Sequence, residues 1–417
     1  MTVRRLAAVD AQTLWMSASI PSDQFLLYAF DGCAADLEQA LNTIRARAGG
    51  EFGLRVEDGG FWTYPRWAPR AVGAEQIVVH ELAEPQWQSC LDAVTALTDD
   101  PVDARDMTWR LHVFPRIEGI PGVDAGAVAV FQVAHAFADG VRASALAAYL
   151  LGRDVEVPGV TVPAVSAAAL PWRSLRAARL HRRLLRDVAA GLVPPQADSR
   201  PALYSNNRPD GARHLRTVLC SRAQFADTTV TVGALAAMSE ALAGHLRQLG
   251  DDPAQLGAEV PMAKTGPRSA YNHFGNVTVG LFPALAVSAR NRAIAADLHA
   301  RRRRAAHPAL RAEADAFAAM PAPLLRWGVG QFDPDVRSPT VTGNTVVSSV
   351  NRGPKDLTFG GATVVLTAGF PSLSPMMGLT HGVHGIGDTI AVSVHAADSA
   401  IGDIDAYLDR LRHALSP

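Results

Sequence analysis

The sequence predicts an α/β protein made of two mixed halves of strands and helices. Strand and helix patterns alternate through residues 1–152 and again through residues 215–417. Residues 153–214 have no strand pattern and are rich in proline, alanine and arginine. We therefore predict an N-terminal half, a long linker and a C-terminal half with these bounds.

The first half shows short apolar runs and helical periodicities in close succession. Strands are predicted over 24–30, 108–114 and 125–133, and helices over 35–48, 87–97 and 141–151. The run 125–133 is apolar almost throughout, which is typical of a strand buried on both faces. Gly152 ends the last of these helices.

The linker holds one amphipathic helix, predicted over 172–192, with leucines on one face and arginines on the other. The second half opens with a strand near residue 216 and a long helix over 230–249. A Gly387-Asp388 turn is expected to introduce one of its strands. The remaining elements are predicted strands over 258–262, 275–284, 344–350, 364–368 and 389–395, and helices over 293–306 and 404–415.

Composition excludes several classes of function. The formal net charge is -1, which gives no reason to expect a nucleic-acid partner. The three cysteines form no CxxC pair, which favours a reducing, cytoplasmic location. No uncharged apolar stretch approaches 18 residues, so no spanning helix is predicted. Peripheral contact with a membrane or lipid droplet through the basic linker helix stays open; a helix packed on the protein with a solvated arginine face is the favoured alternative.

The segment His135-Ala136-Phe137-Ala138-Asp139-Gly140 follows the buried strand directly and is the main candidate for chemistry. A neutral imidazole accepts a proton from a hydroxyl or amine near pH 7, so His135 is a candidate general base. Asp139 is placed to hold the turn, and Gly140 permits a tight backbone. On these six residues alone, a buried structural histidine followed by an ordinary turn is an equal alternative.

Several short segments stand out in order along the chain. They are Leu6-Ala7-Ala8-Val9-Asp10, Trp109-Arg110-Leu111-His112, the segment from His135 to Gly140, Gly275-Asn276, Val346-Val347-Ser348-Ser349-Val350-Asn351-Arg352-Gly353-Pro354 and the last forty residues. Together they resemble the wax ester synthase/diacylglycerol acyltransferase family. The resemblance implies two chloramphenicol-acetyltransferase-like mixed-sheet halves with a channel between them. It also implies O-acyl transfer from acyl-CoA, the co-substrate, to a hydroxyl acceptor such as a fatty alcohol or diacylglycerol. No further cofactor is implied, and His135, Asp139 and Gly140 are the implied catalytic residues.

The chain departs from the family pattern in three places. The first histidine of the paired-histidine motif is Ala134 here, the Pro-Leu-Trp motif is Met107-Thr108-Trp109, and the Asn-Asp pair falls on Gly233-Ala234. The pair's asparagine is the family's expected polar support for the oxyanion or acceptor, and the Thr231 hydroxyl is at best a partial substitute.

The resemblance also yields expected substrate-binding residues. Asn276 is a candidate amide donor facing the channel, with turn capping as its alternative. Trp109 lies in the strand that resembles a family motif, and His381 is expected to line the substrate tunnel. No metal is predicted, because the histidines near residue 381 have no cysteine or carboxylate at ligand spacing.

Two other classes of function remain open. One is a condensation-type enzyme of specialised metabolism that forms an ester or amide from a carrier-bound acyl group. The other is a non-catalytic descendant that binds a lipid or a partner, which the changes at Ala134 and Gly233 keep open. The sequence predicts neither the acyl chain length nor the acceptor.

Overall fold

The computed structural model describes residues 4–416, so residues 1–3 and 417, at the ends of the predicted halves, lie outside it. Its strands are β1 (Arg4–Arg5), β2 (Gln24–Asp31), β3 (Leu54–Glu57), β4 (Arg66–Pro69), β5 (Ile77–Val79), β6 (Trp109–Glu118), β7 (Ala125–Val133), β8 (Arg200–Pro201), β9 (Arg213–Ser221), β10 (Gly257–Ala263), β11 (Phe274–Gly280), β12 (Thr340–Val341), β13 (Thr345–Asn351), β14 (Thr358–Phe359), β15 (Ala362–Phe370), β16 (Leu379–Ile386) and β17 (Thr389–Ala397). Its helices are α1 (Ala8–Met16), α2 (Leu37–Arg47), α3 (Trp87–Leu97), α4 (Gly140–Leu150), α5 (Leu170–Ala189), α6 (Val230–Gln248), α7 (Val287–Ala305), α8 (Pro308–Phe317), α9 (Ala322–Gly330), α10 (Asp398–Ile401) and α11 (Ile404–Leu415).

Two six-stranded mixed sheets form the framework and confirm the predicted α/β class. The N-terminal sheet has the order β14-β15-β2-β7-β6-β5, in which only β5 and β6 pair in parallel. Its central strands β2 and β7 are buried on both faces, as the apolar run over 125–133 predicts. Helix α4 packs against β2 on one face.

The C-terminal sheet has the order β11-β10-β13-β16-β17-β9. Strand β13 pairs in parallel with both β10 and β16, and the other pairings are antiparallel. Helices α6 and α11 pack together beside this sheet, with their leucines in its core. The turn Gly387-Asp388 joins β16 to β17 as predicted, with φ of 55° at Gly387.

One segment crosses between the predicted halves. Strands β14 and β15 lie within the predicted C-terminal half, yet they complete the edge of the N-terminal sheet. Strand β15 pairs with β2 and also packs against β16 of the other sheet. The boundaries at 152 and 214 do not account for this exchange, because strand pairing leaves no local mark that tells which sheet a strand joins.

The two sheets approach each other closely where β15 meets β16. A β-carbon at Gly382 would lie 2.1 Å from the carbonyl oxygen of Gly369, so only glycine fits there. An apolar cluster at this interface joins side chains of β2, β7 and β15 to Leu215 and Ala391 of the second sheet.

The linker carries helix α5, which packs on α8 by a face that includes the buried Ala177 and Leu184. Leu185, predicted on the same apolar face, is 55% exposed. Within residues 4–416, no helix combines the length and the apolar composition needed to cross a bilayer.

Candidate active site

The segment predicted to carry the chemistry forms the connection from β7 to α4. Asp139 is the N-cap of α4 and its carboxylate accepts a hydrogen bond from the Arg142 backbone N–H at 3.0 Å. Gly140 is the first helical residue, and a β-carbon there would lie 3.6 Å from Val350 of β13. The loop therefore stands where the N-terminal half meets the C-terminal sheet.

Asp139 holds the loop through contacts to the second half. Its carboxylate accepts a hydrogen bond from the His273 backbone N–H at 2.9 Å and forms an ion pair with Arg268. The side chains of Asp139 and Arg268 are only 4% and 11% exposed. A paired and hydrogen-bonded carboxylate of this kind fixes the backbone geometry of the loop.

The His135 side chain is partly exposed beside Gln24 and Phe274. The Gln24 amide nitrogen lies 3.3 Å from Nδ1 and donates a shorter hydrogen bond to the Ala138 carbonyl. The Phe274 ring stacks on the imidazole with centroids 5.6 Å apart. Burial lowers the pKa of His135 below its ordinary value, opposed mainly by a hydrogen bond to its own carbonyl, the charge of Asp139 and the Ala138 carbonyl. The imidazole is therefore neutral near pH 7.

Four successive residues of the second half contact this loop. The Tyr271 ring stacks on Phe137, the Asn272 amide donates to the His135 carbonyl at 2.8 Å, and His273 and Phe274 make the contacts already described. The segment 271–274 thus covers the loop from Phe137 back to His135. No sequence signal singles these residues out, because each contact spans more than a hundred residues.

The helix that carries the altered Asn-Asp pair begins near this site. Thr231, in the first turn of α6, shares a hydrogen bond of 2.8 Å with Ser349 of β13. A β-carbon at Gly233 would lie 2.4 Å from the Phe225 ring, so a side chain at residue 233 has no room. Phe225 therefore explains why an asparagine is absent at this position.

Two predicted substrate-binding residues lie in cores, which corrects those expectations. Trp109 is fully buried, and its indole N–H donates to the Phe52 carbonyl at 3.0 Å. His381 is also fully buried, and both ring nitrogens are bonded, to Thr345 at 2.8 Å and to Tyr407 at 2.6 Å. Neither side chain has an atom free to face a substrate in this structure.

Asn276 differs from these two because it is exposed. It lies on the edge strand β11 and donates to Glu259 at 3.3 Å. Side chains two residues apart on a strand project from the same face, about 7 Å apart, so Asn276 shares a face with Phe274. This geometry is consistent with the expected position of Asn276 near His135, which stays a prediction.

A cavity of about 220 Å³ opens between the two halves beside the start of β2. Asp23, Phe25 and His395 are among its lining residues. The side chain of Gln24, between the first two, points instead to His135, so the cavity and His135 lie on opposite faces of β2. In residues 4–416, no three His, Cys, Asp or Glu side chains are grouped as metal ligands.

Residues 272–417 match the family model described as the WS/DGAT C-terminal domain. This C-terminal part of the chain is therefore similar to the C-terminal domain of the wax ester synthase/diacylglycerol acyltransferase family. The matched region begins at Asn272, within the segment that contacts the His135 loop. A sequence search of curated proteins finds no match to the chain.

Solved structures extend the likeness to the whole chain. The wax ester synthase/diacylglycerol acyltransferase from Marinobacter aquaeolei VT8 is 18% identical and covers 99% of this chain and 98% of that chain, with a TM-score of 0.64. A variant of the starter condensation domain of rhizomide synthetase RzmA, in complex with C8-CoA and Leu-SNAC, is 15% identical with coverages of 99% and 93% and a TM-score of 0.59. A second RzmA variant, in complex with C8-CoA, is 16% identical with coverages of 100% and 95% and a TM-score of 0.56. At these identities the likeness shows the fold, and it confirms the two-halved architecture that the resemblance implied.

Proposed function

We propose that the protein transfers an acyl group from acyl-CoA to a hydroxyl acceptor, with His135 as the general base. The observation that carries this proposal is the setting of the imidazole, which is neutral, partly exposed and restrained on one side. Only Nδ1 reaches the carbonyl of its own residue, so we assign the ring proton to Nδ1. The 3.3 Å approach of Gln24 to Nδ1 is at the long limit for a hydrogen bond.

This tautomer leaves Nε2 with a lone pair. Nε2 takes the proton of the acceptor hydroxyl as its oxygen attacks the thioester carbonyl. The tetrahedral intermediate collapses with cleavage of the carbon–sulfur bond, and the proton passes from His135 to the CoA sulfur. The products are an ester and free CoA thiol, with no acyl-enzyme.

The hydroxyls of Thr231 and Ser349 are the proposed donors to the oxyanion. They share one hydrogen bond, which leaves one hydroxyl proton for another acceptor. Ser349 precedes Val350 on β13, and the Val350 side chain borders Gly140 from the opposite face of the strand. This pair takes the place of the amide that Gly233 removes.

Release of free thiol from acyl-CoA tests the proposal against a panel of alcohols, diacylglycerol and amines. We expect turnover with a hydroxyl acceptor and a loss of at least about 100-fold in His135→Ala. His413→Ala, which removes an exposed histidine of α11, is the matched control and should keep full activity. Full activity of His135→Ala would refute the mechanism, and tight lipid binding without any turnover would favour the non-catalytic class.

The condensation-type alternative is favoured by one observation, the likeness to the starter condensation domain. The same assay separates the two candidates. Amide formation with amines, with a truncated pantetheine thioester used as well as the CoA thioester, would favour the condensation type. Ester formation that requires the complete CoA donor would favour the acyltransferase.

We also propose that α5 brings the protein to an anionic lipid surface. Trp172 and Leu175 are 64% and 44% exposed, and Arg179, Arg182 and Arg186 lie exposed along the same outward face. Co-sedimentation with phosphatidylcholine vesicles should rise when phosphatidylglycerol is added, and Trp172→Ser should weaken it several-fold. Leu285→Ser, at an exposed apolar site away from α5, is the control, and an equal loss in both variants would contradict the proposal.

A further inference from the structure

Asp10 is a fully buried carboxylate in the first turn of α1. It accepts hydrogen bonds from the backbone N–H groups of Tyr271 and Asn272, both at 2.9 Å, and from the Asn272 side-chain amide at 3.1 Å. Burial raises the pKa of Asp10 to about 7, opposed by these three donors. A charge without a cation partner is costly to bury. All three donors that offset this cost belong to one dipeptide, Tyr271-Asn272.

The dipeptide that Asp10 holds is the one that contacts His135. The same Asn272 amide nitrogen donates both to Asp10 and to the His135 carbonyl. That carbonyl belongs to the residue that carries the imidazole. A continuous path of hydrogen bonds therefore runs from Asp10 through Asn272 to the backbone of His135.

We propose that Asp10 is a positioning residue that acts through Asn272 to fix the tautomer and orientation of the His135 imidazole. This inference rests on the proposed role of His135 as the base. Asp10 contacts neither the ring nor any reacting atom, and its influence passes through the carbonyl. Without Asp10, the backbone at residue 272 is free to shift, and the His135 carbonyl loses its fixed donor. The imidazole can then rotate away from the orientation in which Nδ1 carries the proton.

A double-mutant cycle on activity tests the path. Asp10→Asn keeps the size of the side chain but sets an NH2 group against one of its donors, and Asn272→Ala removes the bridge. Each is expected to lower kcat by about 10- to 100-fold, with KM for acyl-CoA changed less than about twofold. If Asp10 acts through Asn272, the double variant loses no more activity than Asn272→Ala alone.

Ser239→Ala is the matched control for loss of a buried hydrogen bond. Ser239 donates to the Leu281 carbonyl at 2.7 Å in the core of the second half. It should lower the unfolding midpoint and leave kcat unchanged. Additive losses in the double variant, or unchanged kcat in folded Asp10→Asn, would overturn the proposal.

A titration of His135 by NMR, on protein labelled at histidine and assigned with His135→Gln, separates this inference from the proposed function. Asp10→Asn should lower the pKa of His135 further below the ordinary value of about 6.5, because the Asn272 side chain opposes that lowering in the wild type, and it should change the ratio of the His135 tautomers. This outcome is readable even if no donor is turned over, a result that would refute the proposed function alone. Identical His135 signals in wild type and Asp10→Asn would refute the positioning role.

Discussion

The substitution Asp139→Asn is expected to be among the most destabilising single changes near the site. The amide keeps one oxygen for the N-cap of α4, but it removes the charge that faces Arg268 in surroundings where the two side chains are 4% and 11% exposed. Removing one partner of a buried ion pair costs about 3–5 kcal/mol. The new NH2 group also faces the His273 N–H, which adds about 1 kcal/mol.

Urea unfolding measures this cost directly. We expect the free energy of unfolding to fall by about 4–6 kcal/mol, with an unchanged dependence on urea. The control is Asp409→Asn, which breaks the surface pair with Arg412, where the side chains are 76% and 55% exposed. That loss should stay below about 1 kcal/mol. A cost for Asp139→Asn within about 1 kcal/mol of the control would show that Asp139 does not clamp the loop.

Three further predictions concern residues that the structure reassigns. Burial lowers the pKa of His381 to about 3, so the folded chain keeps this ring neutral while the unfolded chain takes up a proton below pH 6.5. Its contribution to the free energy of unfolding is therefore lost as the pH falls, by about 1.4 kcal/mol per pH unit. His381→Gln should remove this pH dependence between pH 6.5 and 5, and an unchanged dependence would contradict the prediction. Trp109→Phe should lose about 1–3 kcal/mol in urea unfolding, because the Phe52 carbonyl loses its donor, and should leave KM for acyl-CoA unchanged; a raised KM would restore a substrate role. Gly233→Asn should be destabilised by about 1–3 kcal/mol, and combining it with Phe225→Ala should cost less than the sum of the two single changes, whereas additive costs would show no clash.

Periodicity predicted those elements whose side chains alternate or repeat regularly. The helix over 87–97 and the strand over 125–133 have the predicted bounds, because each has a clear apolar pattern and a clear end. Strand β16 was missed, although it lies in the middle of the second sheet. From the sequence, His381 of this strand is expected to line the substrate tunnel, whereas close sheet packing requires Gly382 and a core hydrogen-bond network holds His381.

In the candidate site, too, some residues were predicted from the sequence and others were not. His135, Asp139 and Gly140 were found because they are adjacent in sequence and follow a buried strand. Their partners were not, since Asp10, Gln24 and segment 268–274 come to the loop only through tertiary folding. Local patterns can indicate a displayed histidine, but they carry no information on what fixes its ring.

The contacts of the loop give a physical reason why the site needs both halves. The N-terminal half supplies His135 and the helix cap, but the cation on Asp139 and the donor to the His135 carbonyl come from residues after 267. An isolated N-terminal half would leave Asp139 as a buried charge without its cation, and it would also lack β14 and β15 at the edge of its sheet. Formation of the site is therefore coupled to the docking of the second half, and a variant that weakens docking should lose activity before it loses secondary structure.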